Sequence, residues 1–243
     1  IIAGSSITYR AIKSNNGFIV NFGIMTGSWT LPNARGKGCF SQIISESKRI
    51  CFEKNVPYLT AFVTETNASY RRLKDAGFYC KIADNVFSNE DLFETSMETN
   101  TLEIVPIDVD LLYKKYQLKS LEQSVFVYSK SEFELQYIQR INFVECAKVG
   151  TTYFLFEDTG SIIKLLFFSD FDYRIIQFFC NWMRTNKDKK VMFFVSDEFQ
   201  IDVLEANSFN FVKGFFTIQK TDETALDDYE VFKNISINLG DKM

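Results

Sequence analysis

Arg35-Gly36-Lys37-Gly38 stands between an apolar run, Phe18 to Met25, and a segment from Cys39 to Cys51 in which Phe40, Ile43, Ile44 and Ile50 recur at helical spacing. A strand, a glycine-containing turn and a helix in that order leave the first backbone N–H groups of the helix without intrahelical partners. They aim at one spot, where the helix dipole also favours negative charge. Gly36 and Gly38 let the main chain approach an anion closely, and Arg35 and Lys37 add positive charge beside it. The chemistry this spacing offers is phosphate binding; an ordinary tight turn with a solvated basic pair is the competing reading of the four residues alone. Local charge favours the anion: residues 1–45 hold Arg10, Lys13, Arg35 and Lys37 and no Asp or Glu, in a chain of net charge −4.

Such a turn works only if a sheet and a helix hold it. Residues 5–13 alternate as a strand does, and Ser14-Asn-Asn-Gly17 is a hairpin signal leading back into the apolar run. The helix, read as Gln42 to Asn55, carries Ile43, Ile44, Ile50, Cys51 and Phe52 among Glu46, Lys48, Arg49, Glu53 and Lys54, an amphipathic pattern that packs one face on a sheet. Tyr58 to Thr64 is nearly continuously apolar, as a central strand covered on both faces requires. A short helix, Asn67 to Asp75, follows and is closed by Gly77 in the C-cap role. Arg71, Arg72 and Lys74 on it read either as a solvated face or as a basic group near a bound phosphate.

Pro32, Arg35-Gly-Lys-Gly38, a long helix, a strand, and a short Asn67-Ala-Ser69 helix closing on Ala76-Gly-Phe78 together resemble the core of the GNAT acyltransferase superfamily over residues 18–80. The resemblance implies an acetyl-CoA site. The backbone around Trp29, Thr30 and Leu31 would pair with the pantetheine arm. The N–H groups of Arg35, Gly36, Lys37, Gly38, Cys39 and Phe40 would hold the pyrophosphate, and Asn67 and Ser69 would lie near the far end of the pantetheine. Three positions depart from the family pattern. Phe40 stands where the loop usually has Gly or Ala, Leu73 where the short helix usually has a general-acid Tyr, and Ile19 to Pro32 lacks the Glu that often serves as base.

At 243 residues and 46% apolar composition the chain can form two domains. No apolar run approaches the roughly 18–20 residues of a membrane span. Five cysteines, odd in number and without C-x-x-C spacing, read as reduced thiols in a cytoplasmic protein. The absence of histidine excludes a histidine triad or histidine metal site, and no metal is expected. The 26 phenylalanines fall in strand-like runs, as core residues do, and are not interleaved with a basic patch, so no nucleic-acid partner is expected. The chain begins Ile1-Ile-Ala-Gly without Met, which points to further residues upstream, and the family's opening strand and two helices have no counterpart in the first half. The alternative is that the second half supplies that side of the sheet. Exposed strand edges of such a first domain would invite pairing into a homodimer.

From Asp84 to Thr101 the chain turns polar and acidic and reads as a connection between domains 1–100 and 101–243. Beyond it come a strand from Leu102, helices Val109 to Lys119 and Lys130 to Ile141, and strands Phe143 to Val149, Thr152 to Glu157 and Ile162 to Phe168. Helix Tyr173 to Thr185, strand Val191 to Ser196, helix Phe199 to Ala206, and strands Asn210 to Gln219 and Tyr229 to Ile237 complete it. That is the order of a whole GNAT-like domain, so the fold class is α/β (α+β), two mixed-sheet domains in tandem. In the second copy Ser169-Asp-Phe-Asp-Tyr replaces the glycine turn. Aspartates there satisfy the helix end internally and repel a pyrophosphate, which reads as a degenerate copy.

The expected activity is transfer of an acetyl group from acetyl-CoA to an amine, on a small molecule or a protein, with the acceptor near the cleft between the halves. Glu65, at the carboxyl end of the central strand, is the candidate base for a protonated amine, and Tyr70 or Tyr79 the candidate acid. A catalytically silent GNAT-like interaction module is the alternative. Fem-type transferases that use aminoacyl-tRNA are disfavoured by Arg35-Gly-Lys-Gly38 and the acidic balance, and a plain structural α+β protein would bind neither ligand.

Overall fold

The computed structural model describes residues 1–14, 16–89, 101–222, 232 and 234–242. Along the chain these form β1 (Ala3–Lys13), β2 (Ile19–Thr30), α1 (Cys39–Glu53), β3 (Tyr58–Thr64), α2 (Ala68–Asp75), β4 (Tyr79–Ile82), β5 (Asp84–Phe87) and β6 (Leu102–Val105). Then come α3 (Val109–Lys119), β7 (Val125–Phe126), α4 (Lys130–Tyr137), β8 (Val144–Val149), β9 (Thr152–Asp158) and β10 (Ile163–Phe168). Last are α5 (Tyr173–Lys187), β11 (Val191–Val195), α6 (Glu198–Ala206), β12 (Asn210–Val212) and β13 (Gly214–Lys220). Two mixed sheets result, ordered β4-β13-β3-β2-β1-β7 and β12-β5-β11-β10-β9-β8-β6. Each has a single parallel pair at its middle, β2 with β3 and β10 with β11.

The compact units built on these sheets interleave along the chain, unlike the contiguous division expected at residues 100 and 101. One comprises Ile1–Ala83, Gln123–Val127 and Lys213–Ile235; the other comprises Asp84–Glu122, Tyr128–Val212 and Ser236–Met243. This exchange departs from the sequence expectation at two points. Asp84 to Phe87, expected as linker, is a strand paired with β11 and β12. Its polar residues Asp84 and Asn85 are buried, and the Asn85 amide donates to the Val212 carbonyl at 3.5 Å. The expected single strand Asn210 to Gln219 breaks at Lys213, with β12 joining one sheet and β13 the other. Of the expected strand Tyr229 to Ile237, four of nine residues lie outside the described residues, and the described five form no strand, Ile235 making one isolated parallel bridge to Ser124. Helix α4 stops at Tyr137, short of the expected Ile141. On the outer edge of β1, β7 pairs with Ile12 and Lys13, so a segment from the second half does extend that side of the first sheet.

In the first unit, side-chain alternation divides the core in two. Met25, Leu59 and Ala61 face α1 and α2, where they pack with Ile44, Cys51, Leu73 and Phe78. Phe22 lies in an aromatic cluster with Phe126, Phe216 and Phe232 at centroid separations of 5.6 to 6.3 Å. Gly23 brings α1 down on the sheet, because a Cβ there would stand 2.7 Å from the Cys51 sulfur and 2.9 Å from Ile7. This close packing fixes the axis of α1 and thereby the position of its N-terminus.

In the second unit, Tyr116, Phe133, Tyr137 and Phe167 pack together, and a 3-10 turn, Leu239–Asp241, closes over them. The fully buried Asp241 carboxylate accepts from Tyr137 at 2.5 Å, from Tyr128 at 3.1 Å and from the Asn238 N–H at 2.8 Å. Burial pushes this carboxyl up to about 6, against the pull of those donors.

Candidate functional site

The candidate site lies within the first unit, at the N-terminus of α1. Strands β2 and β3 pair in parallel only from Phe22 with Tyr58 to Met25 with Ala61, after which β2 runs on to Thr30 along β1 and β3 to Thr64 along β13 without pairing to each other. The register of β2 against β1 shifts between Thr26 and Trp29, with Gly27 in the left-handed region at φ +58°. This bulge turns the end of β2 and increases its twist. The Ser5 hydroxyl holds it, lying 3.2 Å from the Thr26 carbonyl and 2.8 Å from the Ser28 hydroxyl. The last residues of β2 therefore offer main-chain groups, on the side toward β3, that no strand among the described residues takes up.

The chain then turns through a 3-10 segment, Pro32–Ala34, and the Arg35 to Gly38 loop into α1. Gly36 and Gly38 have φ of +78° and +77°, the left-handed region that strains any residue with a Cβ. Gly38 is the N-cap of α1. No side chain caps this end, no acidic residue lies in the first turn, and the first helical bond is Gln42 N–H to Gly38 C=O at 3.1 Å. The N–H groups of Cys39, Phe40 and Ser41 thus point out of the helix end.

A cavity of about 750 Å³ opens in front of them. Its walls come from Ser28, Trp29 and Thr30 of β2, from Ala34, Arg35, Gly36 and Gly38 of the turn, from Cys39, Phe40 and Ser41 of α1, and from Ala68, Ser69 and Arg72 of α2. No carboxylate is among them. Arg35 and Arg72 are the cationic groups, and both are exposed. The indole of Trp29 lies over Gly4, whose added Cβ would come within 3.0 Å of the ring nitrogen.

The structure brings Trp29, Thr30, Arg35, Gly36, Gly38, Cys39, Phe40 and Ser69 together on this cavity, while Leu31, Lys37 and Asn67, beside them in the chain, do not line it. Asn67 caps α2, its side-chain oxygen accepting from the Ser69 N–H at 2.9 Å. Cys39 is turned inward, with its thiol 3.5 Å from the Ala34 carbonyl. Phe40 packs against the cluster formed by Met25, Ile44, Leu59 and Leu73, so its ring leans on the core and its N–H stays at the helix end. Leu73 is fully buried in that same cluster and cannot serve as an acid.

Neither Glu65 nor Tyr70 lines the cavity. Glu65 follows β3 and donates its N–H to the Lys213 carbonyl at 2.9 Å; the Tyr70 ring is stacked on Phe215 at 4.5 Å. Tyr79, the other acid considered, is exposed on β4. Ser28, Ala34, Ser41 and Ala68 are wall residues not expected from the sequence, and of the three α2 bases considered for a phosphate Arg72 is the one on the wall. For Arg72 a signal existed, since Ala68, Ser69 and Arg72 share one helical stripe.

The second unit repeats the framework with a different ending. The ladder of β10 against β9 shifts register between Leu165 and Phe167, and β10 meets β11 in parallel only at Ile163 and Lys164. The helix that follows, α5, is capped by Asp172, whose carboxylate accepts from the N–H groups of Arg174 at 2.9 Å and Ile175 at 3.4 Å. Its end is already filled by a negative side chain.

Two mixed sheets, each with a splayed parallel pair leading into a long helix, define the GNAT-like fold, present here in tandem. No protein family and no curated protein matches the chain by sequence. Among solved structures it is similar to a GCN5-related N-acetyltransferase from Kribbella flavida, with a TM-score of 0.62 at 11% identity over 91% of this chain and 58% of that one. It is similar to a tandem GNAT protein from the clavulanic acid biosynthesis pathway, with a TM-score of 0.59 at 11% identity over 91% of this chain and 85% of the other. An N-myristoyltransferase from Saccharomyces cerevisiae, solved with bound myristoyl-CoA, gives a TM-score of 0.62 at 11% identity over 89% of this chain and 64% of that one. The chain spans about three fifths of the length of the GCN5-related structures it matches.

Proposed function

We propose that this protein is an N-acyltransferase that takes an acyl group, acetyl in the simplest case, from a coenzyme A thioester to an amine, with the coenzyme held by the first unit. The observation that carries the reading is the contrast between two helix ends. The N-terminus of α1 is uncapped, glycine-lined and open to a cavity without carboxylates, whereas Asp172 occupies the equivalent end of α5. The cavity residues fit a pyrophosphate: N–H groups converge from the end of α1, Gly36 and Gly38 keep the approach free of side chains, and Arg35 supplies charge. The main-chain groups at the end of β2 that face away from β1 suit the amide groups of a pantetheine arm, which would pair with them as a further strand does. The names of the neighbouring structures, N-acetyltransferases and an N-myristoyltransferase, agree with this class of reaction. The five free thiols, four of them buried, suit a cytoplasmic setting.

In this reading the chain's main contribution is alignment. Holding the thioester carbonyl by main-chain N–H groups at the splay, beside a seated amine, stabilises the oxyanion of the tetrahedral adduct and lowers the barrier without an acyl-enzyme. Glu65, exposed after β3, is the proposed acceptor of the proton from an ammonium substrate, and Tyr70 the proposed donor to the departing thiolate. The second unit does not hold coenzyme.

A second reading has its own observation: Glu65 and Tyr70 stand off the cavity and Leu73 is in the core, the arrangement of a module that binds acyl-CoA without turning it over. The test is release of free CoA thiol from acetyl-CoA in the presence of a panel of small amines and peptide N-termini. Amine-dependent release that falls by about 10²-fold or more in Glu65→Gln supports the transferase with Glu65 as base. Acetyl-CoA binding with no release for any amine favours the silent module.

A further inference from the structure

We infer that Arg72 is the group by which this site distinguishes coenzyme A from its dephospho form, taking the 3′-phosphate of the ligand; the inference rests on the coenzyme reading above. The cavity has two cationic groups on separate elements, Arg35 on the turn before α1 and Arg72 on α2. Among the described residues Arg49, Arg140 and Arg184 each hold a carboxylate, but no ion pair is formed by either cavity arginine. Their guanidinium groups are available to a ligand.

Of the basic residues on α2, Arg72 alone lines the cavity, on the same stripe as the small residues Ala68 and Ser69; Arg71 and Lys74 do not. Small residues at the first turn of α2 leave space for ligand to pass, and the guanidinium one turn further on meets whatever occupies it. The pyrophosphate, with one negative charge per phosphate, is matched by the N–H groups of α1 and by Arg35. A phosphate monoester remains, carrying between one and a half and two charges at neutral pH, roughly. Guanidinium is the side chain that binds such a group through two parallel hydrogen bonds, and a second carrier of that chemistry stands at the other wall.

The experiment is a two-by-two titration of the full-length chain. CoA and 3′-dephospho-CoA are each titrated calorimetrically into wild type and Arg72→Gln, with Arg72→Lys as a charge-retaining variant. Arg72 is exposed, so these variants keep the fold, which thermal unfolding checks. The expected result is that wild type binds CoA at least about tenfold more tightly than the dephospho form, a charge-assisted contact's effect. Arg72→Gln should lose that preference by weakening CoA alone, and Arg72→Lys should recover part of it. Equal weakening of both ligands by Arg72→Gln, or no weakening of either, overturns the inference while the coenzyme site stands. Failure of wild type to bind either ligand overturns both.

Discussion

Replacing Gly38 by glutamate should lower coenzyme affinity by at least about 100-fold while leaving the protein folded, because two effects act at one residue. At φ +77° any side chain holds the backbone in the left-handed region, at a cost of roughly 1–2 kcal/mol per residue. The position itself is open, since a Cβ added there meets nothing within 4 Å, so the strain is borne without a clash. The second effect is charge. A carboxylate at the N-cap of α1 satisfies the same N–H groups and the same end of the dipole that the pyrophosphate needs, as Asp172 does for α5. Calorimetric titration with acetyl-CoA measures the loss. Gly38→Ala separates the two contributions, and its affinity should fall between wild type and Gly38→Glu. Undiminished affinity in Gly38→Glu would mean that the ligand lies elsewhere.

Gly240→Ala should be strongly destabilising although it adds only one methyl group. The added Cβ would stand 2.1 Å from Cε1 and 2.4 Å from Cδ1 of Tyr137. That ring cannot withdraw: it is fully buried and stacked on Phe133 at a centroid distance of 4.7 Å. The 3-10 turn must therefore lift, separating Asp241 from the Tyr128 and Tyr137 hydroxyls and leaving buried polar groups without partners. Overpacking of this kind costs roughly 1–3 kcal/mol, and orphaned groups add about 1–3 kcal/mol each. For a chain of this length that corresponds to a fall in Tm of about 5 °C or more. Thermal unfolding followed by circular dichroism reads it directly, and an unchanged Tm would show that the closed turn is absent in solution.

What could be read from the sequence was what is local. Arg35 to Gly38, the helix after it, the central strand from Tyr58 to Thr64 and the helix capped by Asn67 are each specified by residues within a turn or two of one another, and they stand where periodicity placed them. The exchange of strands was hidden because its causes are distant. Asp84 and Asn85 look like linker residues until Val195 and Val212 stand beside them, more than 100 residues away. Lys213 marks no visible break inside an apolar run, yet Val212 pairs with Asn85 and Gly214 with Thr64. Direction was equally hidden at the site. The sequence shows a large residue at Phe40 but not that its ring leans on the core, and it shows three bases on α2 without saying that Arg72 is the one on the cavity.

The proposed function requires the main chain at the N-terminus of α1 to hold an anionic coenzyme and the corresponding end of α5 not to. Amide resonances of ¹⁵N-labelled protein, followed during addition of CoA, test it residue by residue. Large, saturable shifts are expected at Gly36, Gly38, Cys39, Phe40 and Ser41, with Tyr173, Arg174 and Ile175 unmoved. Shifts centred on Tyr173 to Ile175, or none at Gly36 to Ser41 at saturating CoA, would contradict it.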